Sequence, residues 1–97
     1  MADFVLAADE IAIHNKTLVP NVEDTVTFPA RFQIGDPVLI IHPGGVEPVY
    51  VASGAQAATV AGARCRIVFP GNALRLDDVS VVRLISAAAV TYSVEST

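Results

Sequence analysis

Gly35-Asp36-Pro37-Val38-Leu39-Ile40-Ile41-His42-Pro43-Gly44-Gly45-Val46-Glu47-Pro48-Val49-Tyr50-Val51 is the stretch whose reading decides the fold. The run from Val38 to Ile41 is apolar, rich in β-branched residues, and bounded by Gly and Pro on both sides, which makes it a strand and not part of a longer helix. A run without polar alternation predicts a central strand covered on both faces. His42-Pro43-Gly44-Gly45 reads as a turn and Pro48 to Val51 as the returning strand, with Tyr50 opposite Val49 and Val51.

Outward from this stretch the period stays two. Glu10 to His14 places Ile11 and Ile13 on one face, Thr25 to Phe28 places Val26 and Phe28 inward, and Arg31 to Ile34 does the same with Phe32 and Ile34. Ala52 to Gly62 is built of small residues and reads as a hairpin loop with a short strand at Ala58 to Val60. Ala63 to Phe69 alternates, with Cys65, Ile67 and Phe69 assigned inward. Leu74 and Leu76 face inward around Arg75, Asp77-Asp78 turns, and Val79 to Ile85 and Val90 to Glu95 are the last two strands. The six prolines fall at segment edges, where a missing N–H is tolerated. The reading is an all-β chain, a small antiparallel β-sandwich or barrel of about seven strands. Val5 to Ile13 also fits one short helix, and strand is the preferred reading.

At 97 residues there is room for one core, and no linker separates a second unit, so residues 1–97 read as a single β domain. A chain of this size buries only about 60 to 65% of the surface that it exposes when unfolded. Yet 53% of residues are hydrophobic and 16% charged, against roughly 25% charged in ordinary soluble domains. Such a surface predicts a subunit that hides part of itself in an assembly. The net charge of −4 argues against tracking a phosphate backbone, so no nucleic-acid partner is expected. Acidic side chains gather early (Asp3, Asp9, Glu10, Glu23, Asp24) and arginines late (Arg64, Arg66, Arg75, Arg83), an asymmetry able to orient neighbouring copies head to tail. No stretch reaches the roughly 18 to 20 apolar residues of a membrane span, and no signal segment is seen, so the expectation is no membrane partner and synthesis in a cytoplasm.

Catalysis needs a nucleophile, a base and an electrostatic stabiliser that converge. His14 and His42 are the only neutral-pH bases, and both read as plain surface residues; Ser53-Gly54 lacks the surroundings of a nucleophile elbow. The histidines, the lone Cys65 and the scattered carboxylates show no metal-ligand spacing. Cys65 reads as a small buried hydrophobe. With no Trp, and one of Tyr50 and Tyr92 placed inward by its alternation, a sugar-binding platform is poorly provided. No enzyme activity, catalytic residue, metal or cofactor is expected.

Pro48-Val49-Tyr50-Val51, the Ala/Gly/Thr loop to Gly62, Ala63-Arg64-Cys65-Arg66 leading to Phe69-Pro70-Gly71, and Val82-Arg83-Leu84-Ile85-Ser86 to Thr91-Tyr92-Ser93-Val94 resemble small virion proteins of tailed bacteriophages, especially those of actinobacterial hosts. The resemblance covers roughly half the chain and lies in the cadence of strands and turns. It implies a capsid decoration or cementing protein on the virion surface, assembled in the host cytoplasm. Its partners would be the major capsid protein and copies of itself, as a homo-oligomer or symmetric cluster. A tail or head-to-tail joining component and a host-surface or carbohydrate-binding module are the alternatives. Ala87-Ala88-Ala89 departs from the pattern, where a glycine turn is expected for the final hairpin.

Residues 1–20 allow two readings. Phe4, Val5, Leu6, Ile11 and Ile13 are apolar and precede the break at Val19-Pro20-Asn21, so they fit a partner-binding N-terminal arm that completes a neighbour's sheet edge. Equally, they form the first strands of the same sandwich.

Overall fold

The computed structural model describes residues 2–6, 10, 12–28, 37–76 and 81–96. The alternating segments become strands β1 Asp3–Val5, β2 Ala12–Thr17, β3 Asp24–Thr27, β4 Pro37–Ile41, β5 Val49–Ser53, β6 Arg66–Val68, β7 Ala73–Arg75, β8 Val81–Ser86 and β9 Thr91–Ser96. They form two sheets, ordered β1-β3-β8-β5-β6 and β2-β9-β4-β7. The fold is all-β, a small β-sandwich with antiparallel pairing except between β1 and β3, which run parallel. Nine strands, not about seven, are present among the described residues. Arg31 to Ile34, Asp77-Asp78 and Ile11 lie outside the described residues.

The inner faces hold the core. Val26, Val82, Leu84, Val49, Val51 and Val68 from the first sheet meet Leu39, Ile41, Tyr92 and Val94 from the second, with Leu6, Leu18, Phe28, Leu76 and Val90 closing the ends. β4 is internal to its sheet, as its apolar run predicts, but it is not covered equally on both faces: Leu39 and Ile41 are buried while Val38 and Ile40 are half-buried. Apolar residues on both faces of a strand therefore do not require two covering layers.

Connectivity departs further from the sequence reading. β4 and β5 do not form a hairpin; the turn at 42–45 carries the chain from one sheet to the other. The same is true of β8 and β9, so no final hairpin exists, and Ala87-Ala88-Ala89 needs no glycine because it spans the gap between sheets. Ser86 Oγ holds that crossover, donating to the Pro48 carbonyl at 2.9 Å and accepting the Ala88 N–H at 3.3 Å. The β5–β6 hairpin is as expected. Its loop contains no strand at 58–60 among the described residues; instead Ala58 is buried against Ala52 and Ile85 on the outer face of the five-stranded sheet.

Residues 1–20, for which an arm is one expectation, supply one strand to each sheet. β1 pairs with β3, β2 pairs with β9, and Leu6 is 3% exposed within the core. The reason lies in Asp24, whose Oδ1 accepts the Ala2 N–H at 3.2 Å, and in Thr25, whose N–H donates to the Ala2 carbonyl at 2.9 Å. These bonds tie the start of β1 to β3.

The β5–β6 loop is strapped to the sheet by one carboxylate. Glu23 Oε2 accepts the Ala58 N–H at 2.7 Å, Glu23 Oε1 lies 3.1 Å from Arg83 Nη1, and Arg83 Nε donates to the Gly54 carbonyl at 2.8 Å. Cys65 is half-buried at the loop's end, packed against the Ala52, Ala58 and Ile85 cluster, and is less buried than its alternation predicted. Replacing Glu23 with Ala leaves the Ala58 N–H without its partner and the guanidinium unpaired, at an expected cost of about 1 to 3 kcal/mol. The loosened loop should also raise the rate at which a thiol reagent labels Cys65 in the folded protein. An unchanged labelling rate would show that the loop is held by packing alone.

Candidate functional site

The strongest candidate is a cleft of about 540 Å³ where the two sheets part beside β6 and β7. Among the described residues both are terminal strands of their sheets, so the described sandwich is open here. The floor is Val51, Leu74, Leu76 and Val82; the walls bring Arg64, Arg66 and Arg75 together with Ser53 and Gln56.

This site inverts the sequence reading of β6. Alternation assigns Cys65, Ile67 and Phe69 inward, but Val49 pairs with Val68 and Val51 with Arg66, which puts Arg66 and Val68 on the core side. Val68 is buried, whereas Ile67 and Phe69 are each 53% exposed. The physical reason is the open edge. An arginine beside a cleft lays its methylene stem on apolar floor and keeps its charged head in water, so the inner phase of an edge strand tolerates it. Among the described residues Arg64 and Arg66 make no ion pair, while Arg83 is held by Glu23. The charge asymmetry of the sequence is therefore partly internal: Glu23 and Asp24 serve this fold, and three of the four late arginines gather at the cleft.

A second cluster lies on the outer face of the four-stranded sheet. His42 Nε2 and Ser93 Oγ are 2.7 Å apart, and Ser93 Oγ accepts the Asn15 N–H at 3.0 Å. His42 is half-buried and bonded, not a plain surface residue as expected; His14 is exposed, with Glu95 Oε2 3.7 Å from its Nε2. The Ser–His contact has the spacing of a nucleophile and base. Ser93, however, is buried, and its oxygen is engaged by the backbone of a bulge in β2, where Asn15 takes a φ of 58°. Asn is among the residues that adopt this left-handed conformation most readily. The pair thus pins the bulge across to β9. Sequence reasoning missed it because Ser93 and His42 are far apart in the chain and meet only through the β4–β9 register.

The residues proposed for partner binding are dispersed. Phe4 and Ile13 are half-buried against the core, with Lys16 Nζ 5.1 Å from the centre of the Phe4 ring; Leu6 is buried; Val5 is 69% exposed on edge strand β1; Ile11 is not described. Among the described residues of this set, only Val5 presents a large free surface. Among the described residues no group of three or more His, Cys, Asp or Glu is placed to hold a metal ion.

Comparison with known proteins returns no matching family model, no matching curated protein and no matching solved structure.

Proposed function

We propose that this chain is a non-catalytic virion structural protein of a tailed bacteriophage, a capsid decoration protein that binds and stabilises the shell of major capsid subunits. The observation that carries the reading is β6: an open sheet edge whose solvent face carries Ile67 and Phe69, each 53% exposed. Monomeric proteins blunt such edges, and a paired apolar and unpaired backbone surface fits a strand that is covered in an assembly. The low proportion of charged residues supports the same reading, and the resemblance in the second half of the chain supplies the setting. A protein that binds only the assembled shell stabilises it by mass action, by about 2.7 kcal/mol per site at a hundredfold excess over Kd. A sugar-binding role is less favoured, because Tyr92 is fully buried and Tyr50 is half-buried.

The test is quantitative fractionation of virions. Decoration is expected to give copies on empty heads in numbers comparable to those of the capsid subunit. A few rings' worth at the neck or tail would assign a joining role instead, and copies at the tail tip or on fibres a host-surface role.

A further inference from the structure

We propose that the β6–β7 cleft receives an extended segment of a protein partner with alternating acidic and apolar side chains, added as a new strand along the open edge of β6. This rests on the reading of the chain as a binding protein and names the chemistry of what it binds; it does not depend on a capsid location. Three observations carry it. First, β6 pairs with β5 alone among the described residues, so its outer row of N–H and C=O groups is open to strand addition. Second, strand geometry sorts the side chains of β6: Arg66 lies on the cleft side and Ile67 on the opposite face; exposed Phe69 follows just beyond the strand, and Arg64, in the turn before it, also lines the cleft. Side chains on neighbouring strands share faces. A strand beside β6 therefore turns every second side chain toward Arg64 and Arg66, where a carboxylate gains a charge-assisted hydrogen bond. The intervening side chains lie against Ile67 and Phe69, where an apolar group removes exposed surface from water. Third, Val51, Leu74 and Val82 lie in the cleft beside these arginines, so a segment seated there also removes apolar surface from water.

A phosphodiester chain answers the arginines but leaves Ile67 and Phe69 uncovered, and the net charge of −4 opposes it at longer range. These features favour a peptide.

The experiment titrates the full chain, followed by amide chemical shifts, with a blocked peptide of alternating glutamate and valine. The same peptide with glutamine for glutamate, a thymidine oligonucleotide and inorganic phosphate are run in parallel. The expected result is saturable binding of the glutamate peptide, with shifts centred on β6 and the cleft. Binding should weaken at least about tenfold in the double variant Arg64→Gln, Arg66→Gln and, independently, in Ile67→Glu, whose added carboxylate repels the peptide. All three positions are exposed or line the open edge, and an unchanged thermal melt verifies that the variants fold. The proposal is overturned if the glutamate peptide does not bind, if the glutamine peptide binds as well, if neither variant weakens binding, or if the oligonucleotide or phosphate binds more tightly. Peptide binding lost while virion copies persist overturns this inference alone; peptide binding retained in a protein absent from virions overturns the capsid reading alone.

Discussion

A chain shortened by residues 1–15 is expected to be unfolded or aggregated. The deletion removes β1 entirely and four of the six residues of β2, and with them Leu6, which is 3% exposed, and the partly buried Phe4 and Ile13. Fully burying an aliphatic or aromatic side chain contributes about 1.5 to 3 kcal/mol, so one buried and two half-buried side chains together contribute about 3 to 6 kcal/mol. That is a large share of the roughly 5 to 15 kcal/mol by which a domain is stable at all. The loss is compounded at Asp24, a buried carboxylate whose Oδ1 accepts the Ala2 N–H, because a buried acceptor stripped of a donor keeps its full desolvation cost. Size-exclusion chromatography and far-ultraviolet circular dichroism measure the outcome. A soluble, β-rich monomer from the shortened chain would show that the first strands are dispensable and would restore the reading of residues 1–20 as an arm.

The contrast with that reading shows which parts of the fold are legible in a sequence of this kind. Period two marks a strand and its two faces: at Val26 and Phe28 the inward side is assigned correctly, and Val49 and Val51 share the face opposite Tyr50 as expected. Period two does not say which sheet a strand joins. β4 and β5 are separated by a Pro-Gly-Gly turn that would serve a hairpin equally well, yet they lie in different sheets, and so do β8 and β9. Crossing between sheets is decided by packing of residues distant in sequence, such as Leu39 against Val94 and Val51 against Leu84. The phase of β6 fails for a different reason. Hydrophobicity assigns Ile67 and Phe69 inward and the arginines outward, a sound rule for a strand with both neighbours present. At an open edge beside a cleft the rule inverts. Natural sequences break local rules most often at functional sites, and β6, whose faces are exchanged, is also the wall of the candidate site. Its signal was present in the sequence as Arg64-Cys65-Arg66-Ile67, cationic and apolar residues in strict alternation, but only the pairing of Val51 with Arg66 shows which set faces the cleft.

A polar bridge crosses the core, and removing it is the second large effect expected. Tyr92, fully buried on β9, donates its hydroxyl to Asp24 Oδ2 at 2.9 Å, joining the four-stranded sheet to β3 of the other across the sandwich. Tyr92→Phe keeps the ring and its packing but leaves the carboxylate short of a donor, and hydrogen bonds to charged groups are worth about 1.5 to 3 kcal/mol, so urea unfolding at neutral pH should show a loss of that size. The same bridge predicts a pH dependence. Burial first, and then the hydrogen bond and charge of Asp24, hold the Tyr92 hydroxyl far above its ordinary value of 10.0. Below about pH 10 the proton is bound in both states and the stabilisation is whole. As pH rises above this value the unfolded chain releases the proton while the folded protein keeps it, so stability falls by about 1.4 kcal/mol for each further pH unit until the folded state also titrates. Tyr92→Phe has no proton to release and should lack that part of the alkaline decline, so its stability curve converges on that of the unsubstituted protein as pH rises from 10 to 12. Parallel curves over this range would mean that the hydroxyl titrates alike in both states, and that the bridge to Asp24 does not hold its proton.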